Sequence, residues 1–85
     1  MNSAYQVYLR GVRLFEEGDL EAAEACFADV PAESLHYGEA KGYLGQICLR
    51  TDRPEAAEAA LTQACTLHPR AETWLLLGEA RFALG

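Results

Sequence analysis

The sequence predicts an all-α fold, an α–α superhelix of two helix-turn-helix units followed by a fifth C-terminal helix, and three observations predict it. Glu21-Ala22-Ala23-Glu24-Ala25 returns 34 residues later as Glu55-Ala56-Ala57-Glu58-Ala59. The same offset carries Gly11 onto Gly45, Leu14 onto Cys48, Phe15 onto Leu49, Phe27 onto Leu61 and Val30 onto Ala64. A third, partial copy follows at an offset of 33, where Leu44-Gly45 meets Leu77-Gly78 and Leu49 meets Phe82. A period of this length marks stacked supersecondary units, none of which buries its apolar face alone. The reading is one domain over residues 1–85, with a first repeat at about 4–35, a second at about 36–70, and a partial repeat or capping helix at 71–85.

Each element has a local cause. Ser3 with Gln6 three residues on forms a capping box, which starts a helix at Ala4 and runs it to Glu17, where Gly18-Asp19 breaks it. Asp19 then caps a second helix over Leu20–Asp29, rich in the small, helix-favouring Ala22, Ala23, Ala25 and Ala28. Pro31 ends it early, so the second helix of the first unit is expected to be short. Ser34 is placed as the cap of a third helix over Leu35–Arg50. Pro54 opens the fourth, since its missing N–H would have been unpaired there anyway, and this helix stops before Pro69. The fifth spans Ala71–Leu84. Gly11, Gly45 and Gly78 fall inside helices, where each costs about 1 kcal/mol relative to Ala. They are expected to admit a close helix neighbour, with Ala23 and Ala57 doing the same from the facing side.

These residues together resemble the tetratricopeptide repeat, with its W-x2-L-G-x2-Y, A-x3-F and P positions. Trp74-Leu75-Leu76-Leu77-Gly78 carries the first pattern as written. In the second unit Leu44-Gly45, Ala57-x3-Leu61, Ala64 and Pro69 match, with Lys41 at the tryptophan place and Cys48 at the tyrosine place. In the first, Gly11, Leu14, Ala23-x3-Phe27 and Val30 match, while Arg10 stands where a leucine is usual. The resemblance covers nearly the whole chain and implies a binding scaffold rather than an enzyme.

Composition narrows the partners. With 51% hydrophobic and 24% charged residues the chain lies outside the disordered class, and no apolar run reaches the ~20 residues of a membrane span. A net charge of −6, with seven Lys and Arg scattered along the chain, argues against nucleic acid and anionic membrane surfaces. Met1 to Arg10 has no basic leader, apolar block or small-residue cleavage pattern, and a cytoplasmic location is expected. Three cysteines, Cys26, Cys48 and Cys65, are an odd number for a disulfide framework and read as small packing residues. Nucleophilic catalysis needs Cys or Ser beside a His and an orienting group. His36 and His68 fall at the loop ends of different units instead. Cys65-Thr66-Leu67-His68 has the spacing of two zinc ligands, but no second close pair exists to complete a site, so no metal or other cofactor is expected.

The first helix of each unit carries the functional reading. In Ala4–Glu17 the polar Gln6, Arg10, Arg13 and Glu17 form one narrow stripe, leaving two apolar faces. Val7, Gly11 and Leu14 match positions that pack inside a unit. The resemblance places Tyr5, Tyr8, Val12 and Phe15 mainly on a concave groove, continued by Glu39, Gln46, Leu49 and Arg50 with Tyr43 beside them, and then by Leu75, Glu79 and Phe82. It implies a protein or peptide partner in an aromatic, aliphatic groove, with Tyr5, Tyr8, Phe15 and Leu49 as anchors and Arg50 fixing register. The alternative at Tyr8, Phe15 and Leu49 is simple helix packing. Relatives that grip the acidic C-terminus of heat-shock chaperones use Lys, Arg and Asn here, and Tyr8, Val12 and Gln46 depart from that pattern. A second functional reading is self-assembly. Only Glu72, Thr73, Glu79 and Arg81 are polar across Glu72–Leu84, so that with Trp74, Leu77 and Gly78 turned to their own unit, Leu75, Leu76, Phe82 and Ala83 are left for a second copy.

Overall fold

The computed structural model describes residues 3–85. It consists of five α-helices, α1 (Ala4–Glu17), α2 (Leu20–Ala28), α3 (Tyr37–Arg50), α4 (Pro54–Leu67) and α5 (Ala71–Leu84), with no strand among the described residues. The helices form two hairpins, α1–α2 and α3–α4, and α5 packs on α4 and touches α3. The reading of the opening stretch draws on Met1 and Asn2, which lie outside the described residues.

The capping box at Ser3 is present in both directions, Gln6 N–H donating to Ser3 Oγ and Ser3 N–H to Gln6 Oε1. α1 ends because Gly18 takes a left-handed conformation, φ 88°, which returns its own N–H to Phe15 and that of Asp19 to Leu14. Asp52, one period later, holds the same conformation at φ 58° in the α3–α4 turn. Asp tolerates it better than most residues with a Cβ, at a cost glycine avoids. Asp19 Oδ1 accepts from Ala22 N–H and starts α2.

α2 is nine residues against fourteen in every other helix, as the early proline required. α3 begins two residues later than the sequence suggested. Ser34 is not its cap, because its Oγ is spent on the N–H of His36, two residues away, in a turn that also takes Tyr37 N–H onto the Ser34 carbonyl. Ser commonly forms such a local turn in competition with a helix start. Leu35 is left in the loop, 87% exposed.

Two apolar clusters hold the hairpins. The first contains Tyr8, Ala23, Phe27, Val30, Ala40, Leu44 and Ile47, the second Cys48, Ala57, Leu61, Cys65, Leu77 and Ala80. α3 contributes to both. Gly11 lies under the Phe27 ring, where an added Cβ would come within 2.9 Å of Cε1, and Gly45 lies tighter still under Leu61. These two glycines act as expected, admitting the large residue of the second helix. Gly78 does not: a Cβ there would meet nothing within 4 Å. Trp74, placed toward its own unit by the sequence reading, is half exposed, and Leu76, placed outward, is half-buried against the second cluster. The reason is shared. α5 buries Leu77 and Ala80 on α4, and among the described residues nothing lies over Gly78 to cover Trp74.

Candidate functional site

The first helices of the units, α1, α3 and α5, bring side chains together in one cavity of about 120 Å³. α1 supplies Tyr8. α3 supplies Gly38, Glu39, Gly42, Tyr43 and Gln46, and α5 supplies Glu72, Thr73 and Leu76, with His68 and Arg70 entering from the α4–α5 connection. Two glycines one turn apart in α3 keep that stretch of wall free of side chains.

The aromatic residues of the site are mutually locked. Tyr43 stacks on Phe27, ring centroids 4.7 Å apart and 4° from parallel, and meets Phe15 edge-on at 5.2 Å. Tyr8 is buried. Its ring stacks on His36 at 5.0 Å and 14°, and its hydroxyl donates to Glu39 Oε2 at 3.2 Å. Tyr5 also packs against His36, ring centroids 4.9 Å apart and tilted by 35°. His36 Nδ1 lies 3.5 Å from Glu39 Oε1 without a hydrogen bond. Burial pushes the Tyr8 phenol well above its usual value, and the Glu39 carboxylate adds to the shift. Burial raises Tyr43 too, helped by Glu16 and Glu39.

Of the residues read from sequence, Tyr8, Glu39, Tyr43 and Gln46 line the cavity. Tyr8 does so from the core, so its ring is already committed and only the hydroxyl end is on offer. Val12 and Phe15 are half-buried against the first cluster, and Leu49 against the second. Arg50 is exposed, with its guanidinium 4.7 Å from the Phe15 ring centroid. Tyr5, Leu75, Glu79 and Phe82 are exposed outside the cavity. Sequence reading missed Gly38, Gly42, His68, Arg70, Glu72, Thr73 and Leu76. The two glycines were visible as helix-interior glycines off the 34-residue pattern, and that was the available signal. The loop residues carried none.

Burial raises the Cys48 and Cys65 thiols, making them poorer nucleophiles, and Cys26 is half-buried. No group of three His, Cys, Asp or Glu placed to hold a metal ion occurs among the described residues, and no helix of the structure is long and apolar enough to cross a membrane.

No curated protein and no solved structure matches the chain. A family model described as tetratricopeptide repeat matches residues 38–80, from the start of α3 into α5. That match covers half of the sequence and falls on the Gly45–Leu61 hairpin and the helix that follows it: the chain belongs to the tetratricopeptide repeat family, whose repeats generally mediate protein–protein interaction.

Proposed function

We propose that the chain holds a segment of a partner protein along the surface formed by α1, α3 and α5, one partner side chain entering the cavity between Tyr43, Gln46 and Leu76. The observation that carries this reading is the convergence of three successive first helices on one cavity of about 120 Å³. A packed core leaves few voids larger than a water molecule, and this one opens between helices whose large aromatic residues are already fixed by stacking. Anchors at the margin are Phe15, Leu49 and Arg50, while Tyr5, Val12, Leu75, Glu79 and Phe82 extend the surface along the helices. The module acts by binding, without cofactor or catalysis, on a protein or peptide in the cytoplasm. Its net charge of −6 argues against nucleic acid and anionic membrane.

A peptide library displayed on phage and selected against the protein tests this. Selected peptides should lose about tenfold or more in affinity with Leu76→Glu or Gln46→Glu, and keep it with Thr62→Glu on the exposed side of α4. Peptides indifferent to the first two substitutions would remove the cavity from the function.

Self-assembly is the second reading, favoured by Leu75 and Phe82, 71% and 89% exposed on α5. Apolar side chains standing so far into water on one helix are a common mark of an interface. Sedimentation of the unmutated chain against Phe82→Glu at rising concentration separates the two states.

A further inference from the structure

The cavity between α1, α3 and α5 runs along α3. Its α3 wall is one face of that helix, with Gly38, Gly42 and Gln46 at steps of four and Glu39 and Tyr43 beside them. Gly38 and Gln46 are 46 − 38 = 8 residues apart, roughly 12 Å along the axis at the usual helical rise. The glycines leave the floor bare between its ends. Leu67 and His68 close over Gly38, where an added Cβ would collide with both, so the channel stops there. A side chain that enters beside Gln46 reaches Glu39 only if it is long and unbranched.

The inner end offers acceptors. Glu39 Oε2 accepts from the Tyr8 hydroxyl at 3.2 Å, which commits the only hydrogen that hydroxyl has. Among the described residues no hydrogen bond reaches Glu39 Oε1, which lies 3.5 Å from His36 Nδ1. Glu72, at 72 − 39 = 33 residues on, holds the same repeat position in α5 and lines the same cavity. Against these carboxylates stands Arg70, exposed on the α4–α5 connection. The two phenols report which charge prevails. Burial is the first reason that Tyr8 and Tyr43 are raised; next come Glu39 at Tyr8, and Glu16 then Glu39 at Tyr43, each outweighing the opposing Arg70.

We infer that the partner side chain seated in this cavity is a lysine or arginine, its methylenes along Gly42 and Tyr43 and its charged head on Glu39. The inference rests on the cavity being the binding site, as proposed above, and adds the chemistry of its occupant. Lys and Arg combine an apolar stem with a head that only donates, which suits a bare floor ending in acceptors. Tyr8 holds the Glu39 carboxylate in place before the partner arrives, so little ordering is left to binding. The net charge of −6 draws a basic segment toward the chain. A carboxylate introduced at Gln46 would stop the cation at the entrance, short of Glu39.

The test is selection of a random linear peptide library on phage against the unmutated chain, followed by synthesis of the selected peptides. These should share one basic residue at a fixed position. Norleucine in its place keeps the methylenes and removes the charge, and should weaken binding at least about tenfold, the loss shrinking to under about threefold against Glu39→Gln. The amide oxygen of that variant still accepts from Tyr8, and the norleucine comparison on the unmutated chain decides the matter if the variant fails to fold. Peptides without a fixed basic residue, or norleucine peptides that bind equally well, overturn the inference. If such peptides still weaken with Leu76→Glu, the cavity stands as the binding site and only the cationic occupant is lost; if they do not, both fall together. A fixed acidic residue would also overturn it, turning the site over to Arg70 and His68.

Discussion

Phe27 of α2 and Tyr43 of α3 lie face to face, 4.7 Å between centroids and 4° from parallel, so the residue that fills the first hairpin also positions the wall of the second. Offset aromatic pairs contribute roughly 0.5–1.5 kcal/mol beyond area burial. Here the pair also fixes where the cavity begins, because the edge of Tyr43 lines it. Tyr43→Leu is expected to cost about 1–3 kcal/mol in chemical denaturation, from lost stacking and imperfect filling, and to weaken selected peptides further at matched folded fraction. A variant that binds them unchanged would detach Tyr43 from the site.

The three glycines on one period have three different surroundings, and Ala at each should separate them. Gly45→Ala drives a methyl into Leu61 and Gly11→Ala into the Phe27 ring, each expected to destabilise by about 1–3 kcal/mol as overpacking does. Gly78→Ala meets open space and is expected to stabilise by about 1 kcal/mol through helix propensity. Urea unfolding of the three variants checks the order, and a destabilised Gly78→Ala would mean that the face is covered.

Tyr8 gives the chain an alkaline limit. Its phenol is raised above the ordinary 10.0 by burial and by Glu39, so the folded state favours the protonated form more than the unfolded state does. That stability is fully present below about pH 10 and drains away as pH rises beyond it. Tyr8→Phe keeps the ring, loses the hydrogen bond to Glu39 at a cost of about 0.5–1.5 kcal/mol near neutrality, and should unfold at higher pH than the unmutated chain in an alkaline titration followed by tyrosinate absorbance. Tyr8→Ala should cost about 3–5 kcal/mol, as for any buried aromatic.

Thiol labelling reads out the packing. Cys26 is half-buried, while Cys48 and Cys65 are buried with raised thiol pKa values. Iodoacetamide at mildly alkaline pH should modify Cys26 first, with Cys48 and Cys65 following only on unfolding. Peptide mass mapping over time checks this, and early modification of Cys48 would contradict its place beneath Ala57 and Leu61.

Glu24 and Arg53 make a two-armed ion pair at 2.9 and 2.7 Å between α2 and the turn before α4. The hydrogen bonds from Arg53 hold the Glu24 carboxyl below its ordinary value, a stabilisation present above the carboxylate range and lost as pH falls through it. Both groups are solvent-exposed enough that Glu24→Gln should cost under about 1 kcal/mol, less still in added salt. Arg53 stands where the first unit has the helix cap Asp19, which is why the second unit starts α4 on Pro54 with no side-chain cap.

The period made the helices legible because it combined propensity, breakers and packing in one signal. Gly11 and Gly45 were readable as contact points since their partners, Phe27 and Leu61, recur with them. Ser34 was misread because a hydroxyl two residues from an N–H serves a turn as well as a cap. Trp74 was misread for a different reason: its position in the pattern assumes a covering helix, and no helix among the described residues lies over it. The cavity was only partly legible, since Arg70 and His68 reach it from a connection that no periodicity describes, and Leu76 was assigned by wheel position without knowing how far α5 rolls onto α4.

Because α3 alone contributes buried side chains to both apolar clusters, with Ala60 of α4 only partly buried against the first, load applied at the two ends of the chain should be borne in series rather than in parallel. The first cluster resists through Phe27, Val30 and Ile47, the second through Leu61, Leu77 and Ala80. Pulling on the ends is therefore expected to peel α5 or α1 away from its neighbour before strain reaches Leu44 and Ile47. The chain should then yield first at its extremities, α1 and α5, while the centre around α3 holds its shape longest.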